Sequence, residues 1–296
     1  MKILFHDYSS ELTTEPRYLM FALKHSGIDS YLWNDLRESA FDVFDKIQPE
    51  VFVTHYAAIT PDIMKYLEQT PEIKLVMNVT GMSEAQLSDF DKFIESKGIT
   101  VPFVFTNSCL SPEPKCKVRY ERIYPAFDMF SVIRNDNEPL CPRAVFAKES
   151  GENVDREVKD GGVYHLVQFT NGEIDPKFDI RSNAASAQDL YNRYQAFTLV
   201  GDVEFCSSQL FFDLTVNAKS ITIKSENAGD FNKFLTTVFK DNGSMKDIGT
   251  QLKDQLKARH TPFHRAGTLI KHLEDKEAMV KVEQMKGHFP DIINYM

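Results

Sequence analysis

Several residues with the right chemistry for acid–base or ligand work sit just after runs that look like buried strands. His55 ends the run "VFVTHY". A neutral imidazole there can act as a general base near neutral pH, because its ordinary pKa is close to 6.5. It equally reads as a hydrogen-bonded histidine at a strand end. Asp7 follows "KILFH" and opens a loop that also carries Glu11, Glu15, two Ser and two Thr. Such a loop suits a polyhydroxylated ligand, or it caps the helix that starts near Pro16. "NVTGMSE" offers Asn78, Gly81 and a helix start at Ser83, where free N–H groups favour an anion or a sugar hydroxyl. In the second half the corresponding segments are "FTNGE" with Thr170 and Asn171, then Arg181, then "GDVEFCSSQ" with Glu204, Ser207, Ser208 and Gln209. The two serines stand at the start of a predicted helix, where the dipole favours a phosphate. Asp213 lies inside that helix. It accepts from ribose hydroxyls if its face meets a ligand, and is otherwise a solvent-facing acid.

The elements that must position these residues alternate. Residues 1–130 read as strand, helix, strand, helix throughout. "EPRYLMFALKHSG" has Pro16 near its start and Gly27 at its end, as a helix prefers. "TPDIMKYLEQT" opens with Thr60 as N-cap and Pro61 at the first helical position. "SEAQLSDFDKFIESKG" has the Ser83-x-x-Gln86 form of a capping box and stops at Gly98. Further strands are "IDSYLWN", "IKLVMNVTG", "VPFVFTNS" and "VRYERIYP". Between 129 and 142 the segment "FSVIRNDNEPLCP" breaks the rhythm and reads as a linker. The rhythm resumes with "GGVYHLVQFTNGE" as strand and loop, "SAQDLYNRYQ" as helix, "AFTLVGD" as strand, "SSQLFFDLTVNA" as helix and "KSITIKS" as strand. Amphipathic helices follow, and the tail "TPFHRAGTLIKHLEDKEAMVKVEQMKG" reads as one more helical stretch. Repeated βα units predict parallel sheets with helices on both faces. The fold class expected is α/β, with an N-terminal domain over 1–130, a second over 142–258 and a helical segment over 259–296 packing across both. In open parallel sheets ligands bind beyond the carboxyl ends of the strands, so the default site is a cleft between two such domains.

Bulk properties narrow the function classes. The 296 residues are 42% hydrophobic and 26% charged, which fits a soluble globular protein. No window approaches a membrane span, and the start "MKILFHDYSS" is too short in apolar residues for a secretory leader. The four cysteines have no C-x-x-C spacing, which predicts a reducing, cytoplasmic setting and no zinc site. The net charge is −9, split −6 over 1–130, −4 over 131–258 and +1 over the tail, which argues against a wide basic face for nucleic acid. The exception is "KCKVRYERIY", whose Lys115, Lys117, Arg119 and Arg122 read as a solvated edge strand or as a small patch for an anionic acceptor. No Walker A motif and no G-x-G-x-x-G is present. His260 and His264 have the i, i+4 spacing of metal ligands, but no third ligand is near, and a structural role at the tail is the better reading.

Three segments resemble the GT-B glycosyltransferases. "RIYPAFDMF" is similar to the segment that closes their N-terminal domain. "FTLVGDVEFCSSQLFFDLTVNAKSITIK" resembles their donor-binding unit, with Asp213 where the family often has the Glu that binds the donor ribose. Glu204 lies near the first acid of the family's E-x7-E pattern, one residue too far away. "ARHTPFHRAGTLIKHL" resembles the H-T-Y-x-H-R helix of the spore-maturation-protein-like group. A weaker similarity is to bacteriophage glycosyltransferases that modify hydroxymethylated bases in DNA. Ala218-Lys219-Ser220 replaces the family's Gly-Pro, and "HDYSSELTTE" replaces its Gly-rich first loop.

The resemblance implies two Rossmann-like domains facing across a cleft. It implies metal-independent transfer from a nucleotide diphosphate-sugar, used as co-substrate with no further cofactor, to an acceptor hydroxyl, DNA being one possibility. Donor contacts would come from Thr170, Asn171, Arg181, Glu204, Ser207, Ser208, Gln209 and Asp213. Acceptor contacts would come from Glu11, Asn78 and Gly81. His55 and then Asp7 are the candidate bases. The assembly expected is a monomer or weak dimer. The alternatives are a sugar-nucleotide epimerase on the same fold and a non-catalytic nucleotide- or sugar-binding protein.

Overall fold

Six short β-branched and aromatic runs of the first 123 residues assemble into one parallel sheet. In the computed structural model the described residues are 1–7, 15–34, 38–107, 115–123, 126, 141–147, 165–170, 173–174, 194–200, 220–224 and 258–295. The strands are β1 (Lys2–His6), β2 (Asp29–Trp33), β3 (Val51–His55), β4 (Lys74–Asn78), β5 (Val104–Thr106) and β6 (Tyr120–Arg122). Their order across the sheet is β2-β1-β3-β4-β5-β6, and every pairing is parallel. Helices α1 (Glu15–His25), α2 (Ala40–Ile47), α3 (Pro61–Gln69) and α4 (Glu84–Lys97) make the crossovers.

The helix ends form where the sequence places them. Thr60 accepts from the Ile63 N–H, with Pro61 at the first helical position. Ser83 and Gln86 close a reciprocal capping box, and Gly98 ends α4 at φ 67°. Gly27, at φ 72°, turns the chain after α1. Strand alternation then sorts the core. Leu4, Phe52 and Leu75 face a cluster with Val43, Phe44, Ile63, Leu67 and Ile94 from α2, α3 and α4. Tyr66 of α3 donates to Asp45 of α2 at 2.6 Å, and burial first, then this bond, pushes its hydroxyl up to about 12.

The second sheet has the order β11-β10-β7-β8-β9, with β7 (Cys141–Ala147), β8 (His165–Thr170), β9 (Glu173–Ile174), β10 (Tyr194–Val200) and β11 (Ser220–Lys224). It is parallel except for β8 with β9. The chain divides into two units. One is Met1–Pro125 with Pro262–Asn294, and the other is Ala126–Thr261 with the last two residues. The α/β class with a parallel sheet in each half is therefore observed.

Three expectations are corrected. The segment read as linker to residue 142 already contains the start of β7, which is the central strand of the second sheet. Pro142 lowers the strand reading of "CPRAVFA", yet proline is tolerated at a strand's beginning. β10 begins at Tyr194, inside the run read as the helix "SAQDLYNRYQ". The tail is two helices, α5 (Pro262–Leu273) and α6 (Lys276–Tyr295). Glu274 adopts φ 61° between them, and Asp275 accepts from the Ala278 N–H to start α6. α5 packs on α1. Among the described residues no helix is long and apolar enough to cross a membrane.

Candidate functional site at the carboxyl edge of the first sheet

The sheet order reverses direction between β1 and β3, and a crevice at such a switch point is where open α/β sheets bind ligands. The residues that reach this edge are His6 and Asp7 from β1, Thr54 and His55 from β3, Asn78 and Thr80 from β4, and Asn107 after β5. Register brings them side by side: His55 is paired with Asn78, and Asn78 with Phe105.

His6 bridges the switch point. Its Nδ1 lies 2.9 Å from Thr54 Oγ1, and its ring stacks on Trp33 at 4.5 Å between centroids and 14° between planes. Asp7 is next to it, only 6% exposed. The Asp7 N–H donates to the Trp33 carbonyl at 2.7 Å. Its carboxylate Oδ2 accepts from Arg17, at 3.0 Å from Nη2 and 3.3 Å from Nε. Arg17 sits in the first turn of α1 and is half-exposed. A buried carboxylate needs such a partner, and the fork of two donors also fixes its orientation.

His55 is tied to backbone on both sides. Nδ1 accepts from the Ala57 N–H at 3.2 Å, so it carries no proton. Nε2 therefore bears the hydrogen and donates to the Thr80 carbonyl at 3.2 Å. Burial lowers its pKa below the ordinary value, partly offset by the Thr80 bond. The ring thus caps the short helical turn Tyr56–Ala58 in its neutral form.

Thr80 is the knot of the edge. Its hydroxyl lies 2.7 Å from Asn78 Oδ1 and 2.8 Å from Asn107 Oδ1, and it accepts from the Asn107 N–H at 3.0 Å. One hydroxyl proton cannot serve two carbonyl oxygens. Asn78 Oδ1 already takes the Thr80 N–H, so the Asn107 amide is the one that turns its nitrogen to the hydroxyl. Thr80→Val removes the hydroxyl from this knot and should cost about 1–3 kcal/mol. A denaturant midpoint shift at constant slope measures it. Gly81 follows at φ 85°, and a Cβ there would lie 3.7 Å from Tyr56 Oη. A side chain at this position would be strained by the backbone alone.

The sites expected from sequence fall as follows. Asp7, His55, Asn78 and Gly81 all lie on this edge. Glu11 is outside the described residues, as are Asn171, Arg181, Glu204, Ser207, Ser208, Gln209 and Asp213. Thr170 ends β8. At the α4 start, Ser83 and Gln86 occupy each other's backbone N–H groups, which leaves fewer donors for an anion. The anionic-acceptor reading of the basic run also weakens, since Lys115, Lys117 and Arg119 each face a carboxylate, from Glu84, Glu95 and Glu121. His264 is pushed down to about 4, by burial first and then by Lys286 and Arg265. Among the described residues no three His, Cys, Asp or Glu side chains group as a metal site. The sequence reading gave no role to His6, Thr54, Thr80 or Arg17. Their only mark was position at a strand end or in the following helix turn.

No family model matches the chain, and no curated protein matches it. Solved structures similar to it over nearly full length include the spinosyn forosaminyltransferase SpnP, with 10% identity, 98% of this chain and 99% of that one covered, and a TM-score of 0.39. The spinosyn rhamnosyltransferase SpnG, solved with thymidine diphosphate, has 11% identity, covers 98% and 96%, and scores 0.40. The calicheamicin glycosyltransferase CalG4 has 10% identity, covers 93% and 98%, and scores 0.39. At such identities and scores the likeness is coarse.

Proposed function

We propose that this protein is a metal-independent glycosyltransferase that moves a sugar from a nucleotide diphosphate-sugar to an acceptor hydroxyl. The observation that carries the reading is the row of hydrogen-bonding side chains at the carboxyl edge of a parallel sheet, centred on its switch point, in a chain that contains a second parallel sheet. It is supported by the resemblance of the segment from Phe197 to Lys224 to a donor-binding unit.

In this reading the first unit takes the acceptor. Asp7, held by Arg17, is the better placed base. His55 would first have to release the Ala57 N–H from Nδ1, the nitrogen that must accept the proton. The acceptor oxygen forms its bond to the anomeric carbon as the bond to the nucleoside diphosphate breaks, and the acceptor proton passes to the carboxylate. The second unit takes the donor, with Ser207, Ser208 and Arg181 toward the diphosphate and Asp213 toward the ribose. Donors around the departing diphosphate would stabilise its charge.

The test is release of nucleoside diphosphate from a panel of nucleotide-sugars, in wild type and in Asp213→Ala. The reading expects slow release by the wild type with one donor, and a weakened affinity for that donor in the variant. Free isomerised sugar nucleotide would instead establish the epimerase, and tight binding without release even with acceptor extracts present would establish a binding protein.

A further inference from the structure

The end of α5 meets the edge of the first sheet through a three-way contact that the proposed reaction does not use. His272 is buried. Its Nδ1 lies 2.9 Å from Arg119 Nη2 and 3.2 Å from Glu121 Oε1. Arg119 Nε also donates to Glu121 Oε1 at 2.8 Å. Its Nη1 is 3.9 Å from Glu274 Oε1, on the turn after α5. The Phe103 ring lies 5.4 Å from the imidazole and gives that side an apolar wall. Arg119 can only donate, so Nδ1 must be unprotonated to accept from it. A protonated Nδ1 can only donate, and among the described residues the acceptor beside it is Glu121 Oε1 at 3.2 Å.

We propose that His272 is a proton-operated clasp that fastens α5 to the edge strand β6. In the neutral state its Nδ1 accepts from Arg119. When a solvent proton binds Nδ1, the Arg119 bond is lost and the new N–H turns to Glu121, so that two cationic groups compete for one carboxylate. Among the described residues, the charged groups that act on the imidazole are Glu121 and Arg119 from the β6 side and Lys271 from α5, while Glu274, on the turn after α5, faces Arg119. Burial, Arg119 and Lys271 lower the imidazole's pKa, and Glu121 opposes them. A histidine pKa depressed by folding means that the unfolded chain binds the proton more tightly. The clasp's contribution is therefore complete above the ordinary pKa near 6.5 and is lost as pH falls through the lower, folded value. This device stands independently of the glycosyltransfer reading.

The test uses the full chain and two measurements. His272→Asn places Oδ1 where Nδ1 stood, giving Arg119 an acceptor at every pH. Thermal midpoints are compared between about pH 7.5 and about pH 5. The wild-type midpoint should fall further than that of His272→Asn over this interval. Identical pH dependence in the two proteins overturns the clasp. Proton NMR titration of His272 is the second reading, and it holds if His272→Asn folds poorly. Arg119→Gln should raise the pKa of His272 and Glu121→Gln should lower it. An imidazole whose titration ignores both substitutions overturns the proposal.

Discussion

Asp7→Asn is expected to slow glycosyl transfer by about 100- to 10,000-fold, the range for loss of a positioned general base. The substitution is nearly isosteric. The amide oxygen can still accept from Arg17, so the folded structure should survive with a small change in midpoint. Donor affinity should stay the same, because the proposed donor contacts lie in the other unit. The measurement is a single-turnover rate with saturating donor, paired with a donor binding isotherm. His55→Gln provides the contrast. His55 already spends Nδ1 on Ala57 and Nε2 on Thr80, so its loss should act more on the stability of the 56–58 turn than on the pH profile of the rate. A His55 variant that abolishes the rate while Asp7→Asn leaves it intact would reverse the assignment of the base.

Phe52→Ala is expected to be the most destabilising of the core truncations, at about 3–5 kcal/mol. Phe52 is fully buried in β3, one of the two strands that flank the sheet's switch point. Its ring packs edge-on against Phe44 at 4.9 Å, and against Trp33 at 6.2 Å and His6 at 6.0 Å. Truncation therefore opens a cavity that α2 and the sheet cannot close without moving Phe44 and Trp33. Because Trp33 stacks on His6, the loss should also blur the site edge. A domain is stable by only about 5–15 kcal/mol, so a large share of the margin would go. Chemical denaturation followed by Trp33, the chain's single tryptophan, reads this directly. A change under about 1 kcal/mol would mean that the site collapses around the gap far better than its packing suggests.

Much of the first unit was legible because local chemistry and tertiary structure agree there. Thr60-Pro61 and the Ser83…Gln86 box mark helix starts by hydrogen bonds that involve only neighbours, and Gly27 and Gly98 mark ends by a conformation few residues accept. Legibility failed where a strand's identity depends on what flanks it in space. β7 carries Pro142 and follows a polar, proline-containing stretch, so its first two residues read as linker, although the strand is paired on both sides in the sheet. The break between α5 and α6 failed differently. No glycine or proline marks it, because Glu274 itself takes the left-handed turn and the Asp275 side chain restarts the helix. The site was half legible. Asp7 and His55 stand out as residues after strands. His6 and Thr54 gain their meaning only from β1 lying next to β3, a pairing of residues 48 apart that periodicity does not reveal. Arg17 reads as an ordinary helix residue until α1 folds back and places it on Asp7.

The most direct test of the central claim is thermal unfolding of the full chain against a panel of nucleotide diphosphate-sugars. A ligand that binds only the folded protein stabilises it by about 2.7 kcal/mol at one hundred times its dissociation constant. The account predicts that one nucleotide-sugar raises the midpoint and that Asp213→Ala abolishes this protection while Asp7→Asn retains it. Protection by none of the panel, or protection that survives Asp213→Ala and disappears in Asp7→Asn, would contradict it.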